Sequence, residues 1–161
     1  NKGLSQQKVI DMSRGDKAFS YFNEGYNCAQ AVVLAFGDLF PEKQDDTVKI
    51  ASSFGGGFGR MREVCGTFSG ICIVLGLLCG FDGENGISKA EHYALIRKLG
   101  EQFKADNGSI VCRELLGETV KLSSENPSER TAEYKKKRPC AELCRYAADM
   151  LEKELKEKKL L

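Results

Sequence analysis

The 161 residues carry 24 basic and 23 acidic side chains, a balance that offers no net field for nucleic acid or an anionic membrane surface. An apolar share of 42% with a charged share of 29% is globular composition and excludes a disordered chain. Seven cysteines at this length do not make the dense staple of a small secreted domain. The opening NKGLSQQKVIDMSRGDKAFS lacks the apolar run of a signal peptide, and the uncharged stretch Gly66–Phe81 is shorter than the roughly 18–20 residues that span a bilayer. The expectation is a cytoplasmic protein with reducible thiols and no membrane insertion.

Helical spacing dominates the chain from its start. Gln6–Asn23 places Val9, Ile10, Met12, Ala18, Phe19 and Phe22 on one face, weakened by Gly15, and Glu24-Gly25 breaks it. A second helix is predicted from about Tyr26 to Phe40, ended by Pro41. Asp45, Asp46 and Thr47 can cap a third, running through Phe54 to the glycine segment Gly55–Gly59. Glu63 to about Cys79 is apolar on every side, which predicts a central helix surrounded by the others, with Gly66 and Gly70 leaving a flat strip for a close neighbour. Ser88 and Glu91 form a capping box for a helix to about Ala105, closed by Asp106-Asn107-Gly108. Cys112–Leu116 reads as a short helix ended by Gly117. Residues 119–138 are polar and read as a surface linker or excursion. Pro139 suits the first turn of a last helix, with Ala141, Leu143, Ala147, Met150, Leu151 and Leu155 facing inward. The whole predicts an all-α single domain, a bundle of five to six helices.

On these elements Cys28, Cys65, Cys112 and Cys140 each open a helix. Unpaired amides and the positive end of the helix dipole favour a thiolate there, so lowered pKa values are expected. Cys72 and Cys79 lie inside the apolar helix, seven residues apart on one stripe with Cys65, about 10 Å from neighbour to neighbour. A disulfide needs Cα atoms within about 7 Å, so these read as small buried hydrophobes. Cys144 is one turn beyond Cys140, near enough for a strained bridge or a shared metal.

Around the same four cysteines the chain resembles the C-GCAxxG-C-C family of redox-active proteins, a family whose activity is inferred from its cysteines. Gly25-Tyr26-Asn27-Cys28-Ala29-Gln30-Ala31-Val32 looks like its first segment, and Phe54-Gly55-Gly56-Gly57-Phe58-Gly59 like its glycine-rich approach to the second. Val64-Cys65-Gly66-Thr67-Phe68-Ser69-Gly70 matches the signature, with Thr67 where the family has alanine. Cys112–Gly117 and Arg138-Pro139-Cys140 resemble the third and fourth segments. The resemblance implies a redox site at Cys28, Cys65, Cys112 and Cys140. Members often neighbour transporter genes, which implies a redox partner linked to a transporter.

Thiol–disulfide exchange needs a close pair and a thiolate attacker. Topology suggests Cys28 beside Cys65 and Cys140 beside Cys112. No Cys-x-x-Cys of thioredoxin type is present. The alternative is a zinc or iron–sulfur site on Cys28, Cys65, Cys112, Cys140 and Cys144, although only Cys140 and Cys144 approach the usual ligand spacing. A third reading is a non-enzymatic redox sensor acting through a partner. His92, the only histidine, reads as a surface or packing residue. The Lys135–Arg138 run reads as solvated linker whose charge lowers the pKa of Cys140. The site as predicted carries no cofactor and binds no nucleic acid. A homodimer is left open.

Overall fold

The computed structural model describes residues 12–117 and 138–161. The segment at 1–11, where the first helix was predicted to begin, and most of the predicted linker at 119–138 lie outside the described residues. Those described form seven regular α-helices and a single isolated bridge, Val64 with Val111, so the fold is all-α. No helix among them is long and apolar enough to cross a membrane.

Helix α1 spans Arg14–Asn23, its start fixed by the Ser13 hydroxyl accepting from the Asp16 amide at 3.0 Å. At Gly15 the Asp149 carboxylate fills the place a Cβ would take and accepts the Gly15 N–H at 2.8 Å. Helix α2 spans Cys28–Ala35 and opens on a full capping box between Asn27 and Gln30. It ends earlier than the predicted Phe40, with a 3₁₀ turn following at Gly37–Leu39. The reason is remote in sequence. Buried Arg14 donates to the Ala35 carbonyl at 2.8 Å, forks onto Asp38 and lies 5.3 Å from the centre of the Phe36 ring. That side chain takes an orphan carbonyl of the last turn, a role a further turn of helix would otherwise fill.

Helix α3 is Gln44–Ala51, with Asp45 and Asp46 inside its first turn rather than capping it, and a 3₁₀ turn Ser52–Phe54 follows. Helix α4 begins at Gly66, three residues later than predicted, and runs to Cys79. Helix α5 is Lys89–Asn107, with the predicted Ser88–Glu91 box at its start and Gly108 at φ 90° closing it. Helix α6 is Cys112–Leu116, and α7 is Cys140–Glu157.

One continuous cluster of buried side chains joins α1, α2, α4, α5 and α7. Helix α7 lies along α1, and α2 packs against α1, α3, α4 and α7. Ala29, Ala31, Val32 and Val33 are fully buried, so the short α2 is enclosed on most of its surface. In α4 every residue from Gly66 to Ile71 is buried, whereas Gly76 is exposed and Leu77–Cys79 are half-buried. The flat strip on α4 meets α2: a Cβ on Gly70 would stand 2.8 Å from Val32 Cβ and 3.0 Å from the Ala29 carbonyl.

Candidate functional site

Cys28, Cys112 and Cys140 occupy the first positions of α2, α6 and α7, and Cys65 is the cap residue of α4. The Val64–Val111 bridge joins two of these starts. Cys65 N donates to the Ile110 carbonyl at 2.7 Å, Cys112 N to the Glu63 carbonyl at 2.5 Å, and Arg113 N to the Arg62 carbonyl at 3.2 Å. Side chains alternate across extended backbone, so Cys65 and Cys112 fall on the same side of the bridge. Cys28 reaches them over Gly66, where a Cβ would stand 3.2 Å from the Cys28 sulfur and 2.9 Å from the Phe54 carbonyl. Cys140 completes the group: charge on Cys28, Cys65 and Cys112 each raises its pKa. Cys144, fully buried, donates to the Cys28 carbonyl at 3.9 Å.

A backbone feature shapes this end of the molecule. Gly56, Gly57, Phe58, Gly59 and Arg60 all have φ between 55° and 68°, a left-handed turn, and Arg62 follows at 61°. L-residues avoid this region at a cost of about 1–2 kcal/mol each, so Phe58, Arg60 and Arg62 are strained while the glycines are not. Hydrogen bonds from Arg62 N to Gly56 O at 3.1 Å and from Glu63 N to Gly57 O at 3.0 Å hold the turn closed. A Cβ on Gly57 would stand 2.8 Å from Cys112 Cβ, so this turn is packed directly against that cysteine.

The electrostatics correct the expectation of lowered thiol pKa values at two of the four helix starts. Burial pushes Cys65 up to about 12, with the nearby Cys28 and Cys112 adding to the rise. Cys140 is raised as well, chiefly by burial and then by the three other cysteines, while Arg138 opposes. Loss of water costs the thiolate more than one helix end returns, because the dipole supplies only a fractional charge. The Thr67 hydroxyl lies 3.1 Å from the Cys65 sulfur and works against the rise. The position that departs from the family signature thus contacts the site. Arg138 acts on Cys140 in the predicted direction, and Lys135–Lys137 lie outside the described residues.

All seven cysteines are present as thiols. Among the described residues no group of three or more His, Cys, Asp or Glu side chains is arranged to hold a metal ion. Cys72 and Cys79 stand apart from the group. Both are half-buried rather than fully buried; burial lifts Cys72 to about 11, and Cys79 donates to its own helix at Leu75 O, 3.3 Å away. His92 packs its ring edge-on against Phe81, with centroids 5.8 Å apart, and its Nδ1 is buried without a partner.

Arg62 is the neighbour that sequence reasoning missed. It is 4% exposed, its Nη1 donates to the Cys112 sulfur at 3.8 Å, and its Nη2 is buried with no hydrogen-bond partner. An arginine in a glycine-rich loop carries no local sign of burial. The bridge beside it did leave a signal: Val64-Cys65 and Val111-Cys112 repeat one β-branched residue before a cysteine, a type that favours extended backbone.

A family model described as "Putative redox-active protein (C_GCAxxG_C_C)" matches residues 26–154 of the chain. Neither the curated proteins nor the solved structures contain a match to it.

Proposed function

The chain belongs to the C_GCAxxG_C_C family of redox-active proteins, and we propose that it carries out thiol–disulfide exchange at Cys28, Cys65, Cys112 and Cys140. The observation behind this reading is the convergence of helix starts. The Val64–Val111 bridge sets Cys65 and Cys112 on one side, the Cys28 sulfur lies 3.2 Å from the place of a Cβ on Gly66, and Cys140 lies close enough to feel charge on all three. Thiols gathered in one place repel one another as thiolates, and a disulfide between two of them removes that repulsion along with both ionisable protons. Closing the bridge releases two electrons and two protons, which convert a substrate disulfide to two thiols. The partner is a redox protein or small thiol compound of a reducing compartment, and the cytoplasm fits that requirement.

The reading is tested by treating the reduced full chain with a mild oxidant and mapping its peptides by mass. A bridge between two of the four cysteines is expected, with Cys72 and Cys79 still alkylatable. Absence of any bridge among the four overturns it. Turnover with a model disulfide separates an enzyme from a sensor, and metal analysis of anaerobically purified protein separates exchange from zinc or iron–sulfur binding.

A further inference from the structure

We infer that Cys112 is the attacking thiolate of the four and that Arg62 is its positioning residue, supplying the cation that holds the anionic sulfur. The inference rests on the exchange reading above and adds to it the direction of attack. A buried guanidinium is stable only when an anion or several acceptors replace the water it has lost. Among the described residues Arg62 has neither in the all-thiol state: its guanidinium donates to the Cys112 sulfur, Nη2 has no partner, and no carboxylate pairs with it. Among the described residues Cys112 carries the sulfur this guanidinium bonds, and a thiolate there supplies the missing anion.

The pair is also held rigidly. Arg62 O accepts from both Arg113 N at 3.2 Å and Arg113 Nε at 3.1 Å, and its own N–H is tied to Gly56 O. Cys112 N is bonded to Glu63 O from the other strand of the same bridge, and Gly57 packs on its Cβ. Cation and sulfur therefore face each other through backbone pairing and not through two mobile side chains. Cys65 and Cys140, lifted by burial, suit the second step, in which a thiol resolves a mixed disulfide.

In the first step the Cys112 thiolate attacks one sulfur of a substrate disulfide. The substrate S–S bond breaks, a Cys112–substrate disulfide forms, and the leaving half departs as a thiolate that takes a proton from water. A second cysteine of the group gives its proton to water and attacks the Cys112 sulfur. An internal disulfide closes and the other substrate half leaves as a thiol. Two protein thiols are oxidised and one substrate disulfide is reduced.

The experiment is timed alkylation of the reduced full chain with limiting iodoacetamide at neutral pH, followed by peptide mass analysis. Access alone ranks half-buried Cys28 and Cys140 ahead of buried Cys112. The expected result is the reverse, with Cys112 labelled first. Arg62→Gln is expected to slow Cys112 about tenfold or more and drop it behind Cys28, while Arg62→Lys keeps it first. Labelling of Cys112 no faster than Cys28 in the unaltered chain, or an unchanged Cys112 rate in Arg62→Gln, overturns the inference. If Arg62→Gln loses its helical circular dichroism, the order in the unaltered chain and in Arg62→Lys decides alone. Bridge formation under mild oxidant without this order sinks the assignment and leaves exchange standing, whereas this order with no bridge sinks exchange itself.

Discussion

Cys65 and Cys79 lie at opposite ends of α4, in line along one stripe, yet their surroundings differ in kind. At the amino-terminal end the helix meets a strained left-handed turn, a bridge to α6 and the starts of α2 and α7, and every residue through Ile71 is buried. At the other end Cys79 bonds its own helix and its neighbours are half-open to solvent. The helix itself does not make thiols reactive together; what gathers them is the meeting of several chain segments at one end. Regular spacing along a helix keeps sulfurs about 10 Å apart, whereas converging starts can bring them within exchange distance.

The comparison is broken most directly by replacing the cysteines. Cys65→Ser and Cys140→Ser are each expected to reduce or abolish oxidant-driven bridging among the four, and Cys79→Ser to leave it intact, as read by peptide mapping. Equal loss in all three would erase the distinction between the ends. Alkaline pH probes the same contrast through stability. Well below pH 9 Cys65 and Cys72 are protonated in both the folded and the unfolded chain, and stability does not depend on their ionisation. Above it the unfolded thiols ionise while Cys65, at about 12, and Cys72, at about 11, stay protonated in the fold. Stability of the reduced protein is therefore expected to fall as pH rises from about 9 toward 12, by about 1 kcal/mol per pH unit for each such group. Urea titrations of the unaltered chain and Cys65→Ala should show the shallower slope in the variant.

Glycine substitutions sharpen the picture within one helix. Gly70→Ala would drive a Cβ to 2.8 Å from Val32 Cβ and is expected to cost about 1–3 kcal/mol. Gly76→Ala meets nothing within 4 Å and is expected to stabilise by about 0.5–1 kcal/mol through helix propensity. Thermal unfolding of the two variants should move in opposite directions. The smallest effect belongs to Thr67→Val, which removes the hydroxyl beside Cys65 for about 1 kcal/mol or less. It should slow alkylation of Cys65 and leave Cys79 unchanged.

Some helix starts were legible because the groups that make them are local: Ser88 with Glu91, Pro139 before Cys140. Cys140 could be placed at a first turn on those grounds, and Cys28, Cys65 and Cys112 from the turn and glycine segments that precede them. The features that stayed hidden depend on distant partners. Helix α2 stops at Ala35 because Arg14 reaches across to it, and α4 starts late because Glu63–Cys65 pairs with Ile110–Cys112. The direction of the thiol pKa values was misjudged for a similar reason. A helix end can be read from neighbouring residues, but the water excluded from Cys65 and Cys140 is set by the packing of elements far apart in sequence. Arg62 was passed over because its burial, too, is a tertiary fact.

The bridge between Val64 and Val111 also fixes when the thiols can meet. Arg62 and Cys112 are 50 residues apart in the chain, and Cys144 lies 116 residues from the carbonyl it bonds at Cys28. Contacts of such span carry a loop-closure cost that local helices avoid, so they form after the helices during folding. A chain emerging from synthesis therefore carries its sulfurs as isolated, ordinary groups, and they become a set only when the last tertiary contacts lock.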